Sequence, residues 1–152
     1  MGFFSKLFGK RGVPARGDTP FMEHPSGEFD TARQAICSAM QRLDQMDIKG
    51  QWITFSGQGQ GHRPDSYHIE DVRFSGRTFD LSGETLDLES ILDSAGLSAA
   101  AVNAEMTSDG KVTLGSATPE QLACFLDALL RTHFGIGPFE DEGDDYAVGA
   151  EW

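Results

Sequence analysis

Positive charge is scarce in this chain, cysteine is scarcer, and long apolar runs are missing. Each shortage removes a class of protein. Twelve Lys and Arg stand against 24 Asp and Glu, a formal net charge of −12. Phosphate backbones select clustered cations, so no nucleic-acid partner is expected, and a basic protein or peptide is the natural counterpart. Cys37 and Cys124 are the only cysteines. They show neither a C-x-x-C spacing nor the dense framework of small secreted domains, and they are read as free, buried, inert thiols. No stretch approaches the roughly twenty apolar residues of a spanning helix. Lys6 interrupts the apolar start of the chain, which also lacks the small-residue cleavage site of a signal peptide. A cytoplasmic location is the expectation.

Catalytic and metal-binding signatures are missing as well. The glycines of Gly57-Gln-Gly-Gln-Gly-His-Arg-Pro-Asp65 suggest a phosphate cradle, but His62 stands where a dinucleotide fingerprint needs glycine, and no Gly-Lys pair follows. The stretch reads as a polar connection between antiparallel strands. Ser66, His62, His68, Asp65 and Asp71 supply the residue types of a hydrolytic triad, yet no serine lies in a Gly-x-Ser-x-Gly elbow. The four histidines lack zinc spacing, and the acids around Asp144-Asp145 lack the alternation of a calcium loop. The chain is therefore read as non-enzymatic, with no catalytic residue, cofactor or metal.

What is present suits one core: 152 residues, 39% of them apolar, with 11 Phe and 2 Trp. Three segments are distinguishable. Residues 1–28 form a basic, Phe-rich arm and a linker. The arm carries Lys6, Lys10, Arg11 and Arg16 and no acid, and Phe3, Phe4, Leu7 and Phe8 can share a face of a short helix. Pro14, Gly17, Pro20, Pro25 and Gly27 give the linker chemistry. Residues 29–135 read as an α+β domain. Residues 136–152 form an acidic segment that also holds Phe139, Tyr146, Val148 and Trp152. Docking of these side chains back onto the domain is expected, because exposed they would form a sticky patch.

Within the domain, Asp30 is the expected N-cap of a helix over 30–48 whose stripe is Ala32, Ile36, Ala39, Met40, Leu43 and Met46. Strands follow over 51–57, 66–76 and 77–83, each closed by an apolar-Ser-Gly unit, as in an antiparallel meander. The change of apolar phase between Tyr67/Ile69 and Val72/Phe74 predicts a bulge near Glu70-Asp71. Asp87 and Gly96 bracket a second helix that buries Leu88, Ile91, Leu92 and Ala95. Val102, Ala104 and Met106 alternate into a turn at Ser108-Asp109-Gly110, and Val112 and Leu114 complete a hairpin. Thr118-Pro-Glu-Gln121 is a capping box opening a third helix with Leu122, Phe125, Leu126, Leu129, Leu130 and Phe134 on one face, closed by Gly135. The expected fold is α-β-β-β-α-β-β-α, with an antiparallel sheet of about five strands packed by helices.

That element order, over about residues 29–135, together with size and acidity, resembles the class I type III secretion chaperone fold. The resemblance implies an acidic homodimer that holds an extended segment of a partner protein, without cofactor or catalysis. The N-terminal arm and the C-terminal segment depart from the family pattern. Phe3, Phe4, Lys6, Leu7, Phe8, Lys10, Arg11, Tyr146 and Trp152 are the candidate partner-docking residues. The arm's docking surface is read as an acidic protein groove, the chain's own included, or an anionic lipid surface. The alternative function is an acidic immunity or inhibitor protein that neutralises a basic toxin, a task suited to electrostatic steering. With no closed ligand set in the sequence, EDTA is expected to leave the thermal midpoint unchanged, and a fall of several degrees would contradict that expectation.

Overall fold

The computed structural model describes residues 21–23, 31–46, 51–60, 67–137 and 146–151. In chain order the elements are β1 Phe21–Glu23, α1 Ala32–Gln45, β2 Ile53–Gln60, β3 Tyr67–Ser75, β4 Thr78–Asp80, α2 Leu88–Ala95, α3 Ala99–Val102, β5 Ala104–Met106, β6 Lys111–Leu114, α4 Pro119–Ala128 with a π-helical turn Leu129–His133, and β7 Ala147–Glu151. The fold is α+β. Its strands form one antiparallel sheet in the order β1-β7-β2-β3-β4-β6-β5.

Local chemistry places the helices. Thr31, rather than Asp30, caps α1: its hydroxyl accepts the Gln34 N–H at 3.1 Å. Asp87 caps α2 by accepting the Ser90 N–H, and Gly96 closes it at φ 72°. Thr118 and Gln121 exchange both capping-box bonds at the start of α4, with Pro119 at the first helical position. These caps satisfy donors that the first turn leaves without partners.

The helices lie on one face of the sheet and close the core there. Ile36, Ala39 and Met40 from α1, Ile91 and Leu92 from α2, and Leu122, Phe125, Leu126, Leu129 and Leu130 from α4 and its π turn are all buried. Against them the strands turn Ile53, Phe55, Phe74, Phe79, Val112, Leu114, Val148 and Ala150. An aromatic chain runs through the middle, with centroids of Phe55 and Phe74 6.0 Å apart, Phe74 and Phe79 4.8 Å, and Phe79 and Phe125 5.1 Å. These separations lie in the favourable range for offset or edge-on rings.

Several expectations are corrected. β2 does not stop at Gly57 but runs to Gln60, because Gly57 and Gly59 lie on its core-facing side and let the segment after α4 approach. No bulge interrupts β3. Its register with β2 is continuous from Phe74↔Ile53 to Tyr67↔Gln60, which turns Ile69 outward while Val72 and Phe74 point inward. Val102 belongs to the short helix α3 rather than to a strand. The sheet gains β1, drawn from the stretch read as linker, and β7, drawn from the acidic C-terminal segment. β7 is the larger change, since it lies between β1 and β2.

The two glycines of β2 generate a prediction. A Cβ at Gly59 would sit 2.1 Å from the Gly137 carbonyl oxygen and 2.9 Å from Tyr146 Cβ, a clash with backbone that no rotamer relieves. At Gly57 the nearest atoms are Leu130 methyls at 3.0 Å, the ends of a side chain that can turn. Gly59→Ala is expected to lower stability by about 3 kcal/mol and Gly57→Ala by about 1 kcal/mol, read from urea midpoints. Equal effects would contradict this packing.

Candidate binding edge on strand β3

β3 is much longer than the strand beside it. Ser75-Gly76-Arg77-Thr78 makes a two-residue hairpin with Gly76 at φ 64°, as the Gly-first turn requires. β4 then pairs only Arg73↔Asp80, Phe74↔Phe79 and Ser75↔Thr78. It ends because the Asp80 carboxylate accepts both the Ser82 N–H at 3.1 Å and the Ser82 hydroxyl at 2.5 Å. The Leu81 N–H meanwhile bonds the Gly110 carbonyl at 2.9 Å, on the β6 side. The chain therefore leaves β3 at Ser82, the residue that would next have paired with it.

Alternation along an antiparallel strand fixes what this exposes. Even-numbered residues of β4 bond β3, while Leu81 and Arg77 bond toward β6. It follows that Arg73 and Ser75 face β4, that Glu70, Val72 and Phe74 face β2, and that Ile69 and Asp71 direct their N–H and C=O to the side β4 leaves open. Among the described residues, no backbone hydrogen bond joins Ile69 or Asp71 to another strand on that side. The outermost strands β1 and β5 are three residues each, so the Tyr67 to Val72 stretch of β3 is the longer open edge.

The flanking side chains differ by face. Toward the helix side, His68 Nε2 and Glu70 Oε1 meet at 2.7 Å. On the opposite face Ile69 is 54% exposed, unusual for a β-branched side chain in a strand. Beside it the Ser56 hydroxyl donates to Asp71. Arg73 is held by Asp80 at 3.8 Å and lies 5.0 Å over the Trp52 ring. Gln58, directly opposite Ile69, is 3% exposed, and its Oε1 has no hydrogen-bond partner among the described residues. The arrangement presents backbone hydrogen-bonding groups, one apolar side chain and a His–Glu pair to an extended chain.

A second concavity, a cleft of about 300 Å³, opens between the end of α1 and the β3–β4 hairpin. Its floor is Met40, Ile53, Phe74 and Leu122, and the Arg77–Asp44 pair at 3.5 Å lies on its rim. Arg77 is also fixed by donating to the Ala117 carbonyl at 2.8 Å.

The sequence-derived docking residues lie elsewhere. Phe3, Phe4, Lys6, Leu7, Phe8, Lys10, Arg11 and Trp152 are outside the described residues, as are Gly61 to Ser66 of the glycine stretch. Tyr146 is fully buried. Its hydroxyl donates to Asp127 at 2.7 Å, and Arg131 stacks 4.8 Å over its ring while donating to the same carboxylate at 3.0 Å. The side chain is thus an internal anchor with no face left for a partner. Val148 is buried as well. His68 and Asp71 project from opposite faces of β3, which separates the triad residue types. Cys37 and Cys124 are half-buried free thiols, and burial, then the Glu120 charge, raises the Cys37 pKa. Among the described residues, no cluster of three His, Cys, Asp or Glu could hold a metal ion, and no helix is long and apolar enough to cross a membrane. Compared with protein-family models, curated proteins and solved structures, the chain shows no significant match to any.

The turn that ends β4 is sensitive to acid. The Ser82 hydroxyl and amide, helped by Lys111 and Arg73, hold the Asp80 carboxyl below its ordinary range. A carboxyl depressed in the folded state contributes stability above the unfolded value of about 3.9, and loses it as pH falls through the folded value. Asp80→Asn is therefore expected to be less stable than the native chain at neutral pH, with the gap closing below about pH 4. Urea midpoints across the acid range read this, and a constant gap would contradict it.

Proposed function

We propose that the protein is a non-catalytic protein-binding module, which takes an extended segment of a partner as an added strand along the open edge of β3. The observation that carries this reading is the early end of β4, which leaves the Ile69 and Asp71 backbone groups without a strand partner among the described residues, beside an exposed apolar side chain. Strand addition uses these features: main-chain hydrogen bonds supply affinity, and alternate side chains supply selectivity. Ile69 favours an apolar residue opposite it, and Asp71 together with the overall −12 charge favours a basic segment.

The reading agrees in kind with the segment-holding role implied by the resemblance to class I type III secretion chaperones, though the edge is argued from its own geometry. The basic, Phe-rich arm belongs to the same proposal as a second docking element.

Ile69→Pro isolates the edge. It removes the N–H that faces the open side and leaves the Glu70 and Val72 pairing with β2 in place, and proline is tolerated where a strand's N–H is free. Affinity capture from the native cell, combined with cross-linking, is expected to retain a partner on the native chain with contacts at residues 67–72. The folded proline variant should lose it. Equal capture by both chains would refute the edge as the binding site.

A further inference from the structure

An open strand edge invites pairing with any other chain, and proteins cover or blunt such edges. The stretch Tyr67-His68-Ile69-Glu70-Asp71 contains no proline or lysine, and no bulge twists it away. Its order of side chains is self-complementary in one register. When two copies of β3 meet antiparallel about a two-fold axis through Ile69, Ile69 faces its own copy and His68 of each chain faces Glu70 of the other. The backbone phase agrees, since Ile69, Asp71 and Tyr67 are the residues whose N–H and C=O point to the open side.

The neighbouring registers are worse. An axis through Glu70 sets Glu70 against its own copy. An axis through Asp71 opposes two Asp71 carboxylates and also drives Ile69 against Arg73, whose edge β4 already occupies. An axis through His68 sets His68 against its own copy and loses both the Ile69 pair and the crossed His68–Glu70 contacts. Like charges directly opposite are destabilising, and hydrogen-bonded, opposite-charge or apolar pairs are stabilising, so the Ile69 axis is selected.

We infer that in the absence of a partner the β3 edge is covered by a second copy of this chain, paired through Ile69 with crossed His68–Glu70 contacts, as a reversible dimer. This rests on the reading of the edge as the binding site and names its resting occupant. The pairing supplies about six backbone hydrogen bonds. On each chain the His68–Glu70 contact at 2.7 Å becomes half of a four-group cluster in which each imidazole meets a carboxylate of both chains. An interface of one short strand per chain is of the weak class, and a partner segment can displace it. Self-pairing and segment capture then compete for the same backbone groups.

Sedimentation velocity of the purified full chain across concentration tests the inference, with circular dichroism to confirm folding of each variant. The native chain is expected to show a concentration-dependent dimer. Glu70→Lys removes the carboxylate that meets His68 across the axis, twice per dimer, and is expected to weaken dimerisation by about tenfold. The exchanged pair His68→Glu with Glu70→Lys sets a carboxylate opposite an ammonium group across the axis and is expected to recover the dimer. Ile69→Pro, which removes the edge donor, is expected to be monomeric. A native chain that is monomeric at all concentrations overturns the inference, as does a dimer indifferent to Glu70→Lys or an exchange that fails to rescue. Partner capture by the native chain and its loss with Ile69→Pro are read separately, so failure of the dimer is distinguishable from failure of the edge as a binding site.

Discussion

The hydrogen bond from Tyr146 to Asp127 holds together parts of the molecule that are far apart in sequence. Tyr146 is the residue before β7, and β7 pairs with both β1 and β2. Among the described residues, β1 has no other strand partner. Asp127 sits on α4 just before the π turn and also takes Arg131, whose guanidinium covers the tyrosine ring. Burying a large aromatic side chain and satisfying its hydroxyl on a charged acceptor each contribute about 2 kcal/mol, a considerable share of the marginal stability of a domain this size. Gly59 completes the arrangement from the sheet side, since only a glycine leaves room for the Gly137 carbonyl and Tyr146 Cβ.

With the β1-β7-β2 half of the sheet closed in this way, the remaining irregularity is on the other side of β3. β4 is cut short by a local contact, the Asp80 carboxylate folding back on Ser82, and not by any lack of β-forming residues on β3. The result is a strand paired from Tyr67 to Phe74 on one side and along only a third of its length on the other. Departures from locally consistent sheet building tend to lie at functional sites. Here the departure coincides with an exposed isoleucine, and the proposed binding edge is where the two meet.

Elements that announce themselves by local chemistry were legible in the sequence. The capping box at Thr118, the cap at Asp87, the Gly96 stop and the hairpin at Gly76 all depend on residues within one turn. Strand β6 followed from alternation, and β3 was found as a strand although its apolar pattern wrongly suggested a bulge. The failures share a cause in tertiary context. Gly57 and Gly59 read as loop punctuation, although their spacing of two on one face is also what a strand shows when another segment packs closely against it. β7 is Ala-Val-Gly-Ala-Glu, small side chains with little strand signal, so the segment was expected to dock on the domain but not to enter the sheet. Of the cues in that segment, Tyr146 was expected both to dock on the domain and to meet a partner, and the structure gives it the first role. The open edge of β3 was not visible in advance, because it results from the length of β4, and strand ends are the least legible feature of a sequence.

The central claim is that Ile69 and Asp71 face an uncovered edge while their neighbours bond β2. Residue-resolved amide hydrogen exchange on the native chain at low concentration tests it directly. The account predicts fast exchange at Ile69 and Asp71 and strong protection at Glu70 and Val72, an alternation with period two. Equal protection at all four amides would show that the edge is already covered within the chain and would contradict the account.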